Sequence, residues 1–428
     1  MDHFVIEGGK PLLGTVRVHG SKNAALPILA ATVLAEGEHD ISEVPDLLDI
    51  DVMVEILQSL GVTIHRKDNR ITLNTSTIHS LHIPDDLMGQ MRSSIFLLGP
   101  LLTRFHEVTL SRPGGCAIGA RPIDLHLSGL EALGAEISEQ GGVLTCRANR
   151  LKGNTVTLDY PSVGATENVM MAAALAEGTS HIIGAAKEPE IVDLQNFMNC
   201  MGAQIRGAGT DTITIKGVDR LHPTAYAIIP DRVVAGTLAV SAAITGGEVY
   251  LENVEPGHLA SVLQSLMQTG TDVRAGDDYL HVRRFRPLQN IPKLATAPYP
   301  GFPTDMQAQM MALLTLAQGT SIISETVFDG RFKHVNELLR MGADIVVDLH
   351  SAFVRGVKKL SGAVVEATDL RAGAALIAAG LAAQGKTIVQ QTHHIDRGYE
   401  QIEHMFSQLG ANIERVPSTD YVTTHNII

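Results

Sequence analysis

Phe197-Met198-Asn199-Cys200-Met201-Gly202-Ala203-Gln204-Ile205-Arg206 ends an apolar helical run on a glycine and passes at once into an alternating, strand-like pattern. That is the signature of a helix closed by a C′ glycine, followed by a strand with one buried face. The same junction recurs at Leu60-Gly61-Val62, Leu133-Gly134-Ala135, Thr269-Gly270-Thr271, Met341-Gly342-Ala343 and Leu409-Gly410-Ala411. The glycines are separated by 73, 68, 68, 72 and 68 residues (134−61, 202−134, 270−202, 342−270, 410−342). A period this regular defines six similar repeats and overrides the roughly three domains that length alone suggests.

A second marker runs in phase with the first: an alanine-rich helix, a turn and a strand. It reads Ala31-Thr32-Val33-Leu34-Ala35-Glu36-Gly37 in the first repeat and Ala172-Ala173-Ala174-Leu175-Ala176-Glu177-Gly178 in the third. The second repeat, at Gly99-Pro100-Leu101-Leu102-Thr103-Arg104, is the deviant copy. Each repeat thus reads as strand, alanine-rich helix, strand, amphipathic helix, strand. Helices with so little charge are expected to be buried on nearly every side.

The residues ahead of these helices differ from repeat to repeat: Ser21-Lys22-Asn23, Met91-Arg92-Ser93-Ser94, Ser162-Val163, Asp231-Arg232, Thr304-Asp305 and Asp369-Leu370-Arg371. A helix N-terminus offers unpaired N–H groups and a positive dipole end, an anion site in outline. Ordinary N-capping accounts for Ser162 and Thr304. It does not account for Lys22, Arg92 or Arg371, whose charge opposes the dipole and calls for a ligand.

Ser111-Arg112-Pro113-Gly114-Gly115-Cys116-Ala117-Ile118-Gly119-Ala120-Arg121-Pro122 follows the deviant helix. Its glycines and prolines exclude a regular element. Arg112 and Arg121 flank a cysteine whose thiolate they stabilise, which makes Cys116 a candidate proton donor or nucleophile. Cys146 and Cys200 sit in apolar patterns and read as packing. Three widely spaced cysteines supply neither a disulfide framework nor a zinc pair, and no histidine pattern reads as a metal site. A net charge of −13 disfavours binding to long nucleic acid. The N-terminus lacks a signal-peptide pattern and no apolar run reaches the ~18–20 residues of a membrane span, so a cytoplasmic protein without nucleic-acid or membrane partners is expected.

Pro113 to Pro122, Ser21-Lys22-Asn23-Ala24, Phe302-Pro303-Thr304-Asp305-Met306-Gln307-Ala308-Gln309 and His394-Ile395-Asp396-Arg397-Gly398-Tyr399-Glu400 resemble the motifs of the UDP-N-acetylglucosamine 1-carboxyvinyltransferases, a family of enolpyruvyl transferases. The likeness runs from Phe4 to about Val416. It implies an α/β fold of two inside-out barrels, three repeats each, with the active site in the interdomain cleft. The domains would be residues 21–230, carrying the Cys116 loop, and residues 1–20 with 231–428, carrying Asp305 and Arg397. It further implies transfer of the enolpyruvyl group of phosphoenolpyruvate to the 3-hydroxyl of UDP-N-acetylglucosamine through a tetrahedral ketal, with no cofactor or metal. In that reading Cys116 is the acid and Asp305 the base. Lys22, Arg121 and Arg397 grip phosphoenolpyruvate, and Arg92 and Arg371 add charge. Asn23, Arg92, Arg121, Pro122, Ile123, Asp124, Leu125, Ser162, Val163, Asp305 and Val327 would meet the nucleotide sugar. Tyr160 replaces a lysine that relatives carry before Ser162, which puts one diphosphate contact in doubt.

Other readings of the residues are narrower. Asp305 alone would be a helix cap, Arg397 an ion pair with Asp396, and Arg331 either a ligand contact or a loop stitch. The sister transferase acting on shikimate 3-phosphate shares the architecture. A non-catalytic repeat scaffold would instead have no need of Cys116.

Overall fold

The computed structural model describes residues 2–111 and 122–417. They form two compact units, a first of residues 20–111 with 122–229 and a second of residues 2–19 with 230–417. Each has its own hydrophobic core.

The six junction glycines all adopt left-handed backbone, with φ between 84° and 105°. At Gly202 the helix closes with Ala203 N–H donating to Met198 O (3.0 Å) and Gly202 N–H to Asn199 O (3.0 Å), a Schellman end that an L side chain would strain. The helix before it, Pro189–Cys200, buries Ile191, Leu194, Phe197 and Met198 on one stripe. Cys200 lies off that stripe and is exposed, so it is not a packing residue as its apolar neighbours imply. Cys146 is buried, and burial pushes its thiol up to about 12.

The alanine-rich helices are Lys22–Ala31, Leu98–Phe105, Val163–Ala173, Arg232–Thr245, Gln307–Leu314 and Leu370–Ala382, called the first to sixth inner helices below. Nearly every residue in them is buried. In the second unit the fourth, fifth and sixth pack against one another. In the first unit the second packs on the third, and the first packs on the 3-10 turn Arg92–Leu97 that leads into the second. Small residues permit this closeness. A Cβ at Gly99 would lie 2.5 Å from Asn168 O of the third inner helix.

Among the described residues there is one sheet for each repeat, five of four strands and one of three. In five repeats the strand expected after the outer helix is a hairpin, such as Gln204–Arg206 with Thr212–Lys216. Among the described residues the sixth repeat has the single strand Asn412–Pro417 after its outer helix, and the chain's first strand, Asp2–Glu7, lies between it and Lys386–Gln390. It pairs antiparallel with Asn412–Pro417 (Phe4 opposite Arg415) and with Lys386–Gln390. The next strand, Leu13–Arg17, joins the fourth repeat parallel to Glu248–Glu252. Among the described residues no helix is long and apolar enough to cross a membrane.

The deviant second repeat differs in two ways. Its sheet has three strands plus a single bridge, His82 to Thr109. Its inner helix ends on His106, at φ 67°, in the left-handed conformation that Gly246 adopts at φ 73° at the end of the fourth. A β-carbon in the left-handed region costs roughly 1–2 kcal/mol, partly offset by the larger chain entropy of an unfolded glycine. His106→Gly is therefore expected to raise the unfolding free energy by ~0.5–1 kcal/mol, read as a higher urea midpoint at unchanged slope.

Candidate active site

In the second unit the starts of the inner helices bring charges together. Ser, Thr and Asp at such starts usually cap backbone, and Asp231 and Asp369 do so: Asp231 accepts from Val233 N–H (2.8 Å) and Val234 N–H (3.0 Å), Asp369 from Arg371 N–H (2.9 Å) and Ala372 N–H (3.0 Å). Asp305 does not. It sits in the 3-10 turn Thr304–Met306 ahead of the fifth inner helix, and its carboxylate lies between two guanidinium groups. Arg331 Nη2 donates to Oδ1 at 2.7 Å, while Arg371 Nε and Nη2 donate to Oδ2 at 3.1 and 3.0 Å.

Burial alone would push the Asp305 carboxyl up. The Arg371 and Arg331 guanidinium groups outweigh it and hold the carboxyl well below the usual carboxylate range. Both arginine side chains are nearly enclosed, 3 % and 6 % exposed, whereas Asp305 keeps 29 % of its side chain open. Arg371 Nη1 is buried without a hydrogen-bond partner among the described residues. A buried charged donor left unpaired is costly, and an incoming anion satisfies it.

A polar scaffold holds these groups. Arg331 Nη1 donates to Thr304 Oγ1 (2.8 Å), whose hydroxyl donates to Glu325 Oε2 (2.9 Å). Glu325 Oε1 accepts from Thr296 Oγ1 (2.8 Å) and from the N–H groups of Val327 (2.9 Å) and Phe328 (3.2 Å). Thr304 is thus a link in this chain and not the N-cap its position implies. Arg371 lies over the Tyr399 ring at 5.4 Å, and Tyr399 Oη meets Thr237 (3.0 Å) and Gln309 (3.2 Å) on the fourth and fifth inner helices. Arg397 is half-buried nearby in sequence. Its neighbour Asp396 pairs with Arg415 (3.0 Å).

In the first unit Ser21 caps the first inner helix through Ala24 N–H (3.4 Å), and Lys22 follows, buried. Lys22 Nζ meets Asp49 Oδ2 at 2.6 Å, both side chains under a tenth exposed. A protein carboxylate therefore meets part of the charge cost at Lys22, as Asp305 does at Arg371. Asn23 and Arg92 are half-buried, and Arg92 opens the 3-10 turn. Ser162 caps the third inner helix through Ala165 N–H (3.3 Å), with Val163 beside it and Tyr160 exposed. Pro122 and Asp124 are exposed, Leu125 is half-buried and Ile123 is buried. Asp124 begins the helix Asp124–Ala132, whose His126 is tied to Asn168 (2.8 Å) of the third inner helix. Cys116 and Arg121 lie outside the described residues.

One titratable group was not singled out in the sequence. Glu167, on the third inner helix, is fully buried, and neither carboxyl oxygen has a partner among the described residues. Burial, then Glu190 and Glu188, push its carboxyl well up and favour the protonated acid. Above the unfolded-state value the unfolded chain releases this proton while the fold retains it, so wild-type stability falls with rising pH at up to ~1.4 kcal/mol per unit from this group. Glu167→Gln does not titrate. Its stability relative to wild type is expected to rise from pH 5 to pH 8 in urea melts.

The fold and the paired charges place the chain among proteins of known kind. Residues 6–424 match the family model of EPSP synthase (3-phosphoshikimate 1-carboxyvinyltransferase). The enolpyruvyl transferase NikO from Streptomyces tendae superposes with a TM-score of 0.87 at 27 % identity, over 97 % of this chain and 99 % of its own. An EPSP synthase from Acinetobacter baumannii gives 0.76 at 19 %, a likeness of fold, over 97 % of this chain and 100 % of its own. The architecture is thus the enolpyruvyl transferase fold. UDP-N-acetylglucosamine 1-carboxyvinyltransferase 2 from Caldanaerobacter subterraneus is 51 % identical over 97 % of this chain and 100 % of its own length, and its namesake from Carboxydothermus hydrogenoformans 52 % over the same shares. The chain belongs to the UDP-N-acetylglucosamine 1-carboxyvinyltransferase family.

Proposed function

We propose that this protein transfers the enolpyruvyl group of phosphoenolpyruvate to the 3-hydroxyl of UDP-N-acetylglucosamine in the cytoplasm, releasing phosphate and opening peptidoglycan synthesis. Half-identity to relatives of that name over their whole length carries the reading. The sugar oxygen adds to C2 of phosphoenolpyruvate while a proton goes to the methylene carbon, giving a tetrahedral ketal. Loss of that carbon's proton and of phosphate yields the enol ether. Cys116 delivers the first proton and Asp305 receives the sugar's hydroxyl proton. Lys22, Arg121 and Arg397 hold phosphoenolpyruvate, and Arg92 and Arg371 add positive charge where the ketal gathers negative charge. Asn23, the run Arg121 to Leu125, Ser162, Val163 and Val327 meet the nucleotide sugar.

Asp305 is ionised at neutral pH, as a base has to be, yet two guanidinium groups make it a weak one. An anionic substrate that takes up the unpartnered Nη1 of Arg371 weakens that hold and raises the basicity of the carboxylate when substrate is present.

The test is phosphate release from phosphoenolpyruvate with each acceptor in turn. Release with UDP-N-acetylglucosamine and none with shikimate 3-phosphate is expected, and the reverse overturns the proposal. Mass spectrometry after incubation with phosphoenolpyruvate is expected to show an adduct on the peptide containing Cys116.

A further inference from the structure

The inner helices of the first unit have a second end. Their starts carry Lys22, Arg92 and Ser162, and their C-terminal ends surround an open cavity of about 780 Å³. Leu34, Arg104 and Leu175, from the ends of the first, second and third inner helices, line it, as do Arg150 and Arg220 from the segments after two of the hairpins. Lys22 to Leu34 is 13 helical residues, so the cavity lies about 20 Å from the start of the first inner helix.

Its charge runs against that of the chain. The whole sequence holds 33 basic and 46 acidic residues, whereas the cavity is lined by three arginines and two histidines, His106 and His222, against Glu36 and Asp219. Arg104 is engaged: it donates to Val33 O (2.7 Å) and Ala35 O (3.4 Å), and so offsets the negative end of the first inner helix. Arg150 faces Asp219 at 3.6 Å with both side chains largely in solvent, a pair worth little. Arg220 has no ion-pair partner among the described residues. Leu34, Leu151 and Leu221 give the cavity a buried apolar floor.

We propose that this cavity binds a phosphate monoester with an apolar body, at a site separate from the one described above and independent of the reaction assigned to it. Two available guanidinium groups from separate segments, with imidazoles beside them, suit a dianion with three oxygens better than a single carboxylate. The leucine floor takes the apolar part.

Phenyl phosphate is the probe. Calorimetric titration of the full-length protein is expected to show a binding event that Arg150→Glu with Arg220→Glu weakens at least tenfold and that Lys22→Ala leaves within twofold. Benzoate, with one negative charge, is expected to bind at least tenfold more weakly. The double variant changes exposed side chains and is expected to keep the wild-type melting midpoint and basal turnover. Absence of the event, its persistence in the double variant, its loss in Lys22→Ala, or equal binding of benzoate would overturn the proposal.

Discussion

Asp305→Asn is expected to lower kcat by ~10²–10⁴-fold, the span that loss of a positioned general base produces. The amide keeps the shape of the carboxylate but neither accepts the sugar proton nor neutralises Arg331 and Arg371, which donate to it at 2.7 to 3.1 Å. Two enclosed guanidinium groups then lose the carboxylate they share, so some stability goes as well. Kinetics on protein shown by circular dichroism to be folded separates the two effects. The deficit is expected in kcat at saturating UDP-N-acetylglucosamine, because a general base acts in the transition state, as proposed for Asp305. A variant that keeps full kcat and only raises KM would make Asp305 a binding residue and leave the base to be found elsewhere.

The six repeats were legible in the sequence because a helix end that needs left-handed backbone selects glycine, and glycine is visible without any structure. The inner helix of the second repeat shows the limit of that signal. It ends in left-handed backbone on His106, at φ 67°, and a histidine in the sequence does not announce such an end. The completion of the sixth sheet by Asp2–Glu7 left no local trace, since a strand's own pattern does not name its partner. At the site, Asp305 and Arg371 stood out as charges at the starts of apolar helices. Thr304 read as an ordinary cap, Arg331 as either a ligand contact or a loop stitch, and Glu325 gave no sign, because their arrangement depends on a loop folding back onto a turn more than twenty residues away, and no spacing rule encodes that. Asp49 and Glu167 were hidden for a related reason. A single acidic residue in a helical pattern gives no sign of whether it meets a lysine, as Asp49 does, or is buried with no hydrogen-bond partner among the described residues, as Glu167 is.

Arg371→Ala is expected to cost on the order of 3 kcal/mol of stability, the low end for breaking a buried pair, because Asp305 keeps Arg331 and is 29 % open to solvent. Part of the loss is the guanidinium stacked over Tyr399, which Arg371→Lys also forfeits while retaining the charge. The pH dependence separates pairing from packing. Asp305 is held below its ordinary range, so its contribution is present above the unfolded-state carboxylate value and lost as pH falls through the folded-state value. Removing Arg371 takes away the first of the cations that hold it there, and the acid limb of stability is expected to move to higher pH. Urea melts between pH 3 and pH 7 read that shift. A variant destabilised equally at every pH would mean that Arg371 serves as a packed stem and leaves the ionisation of Asp305 to Arg331.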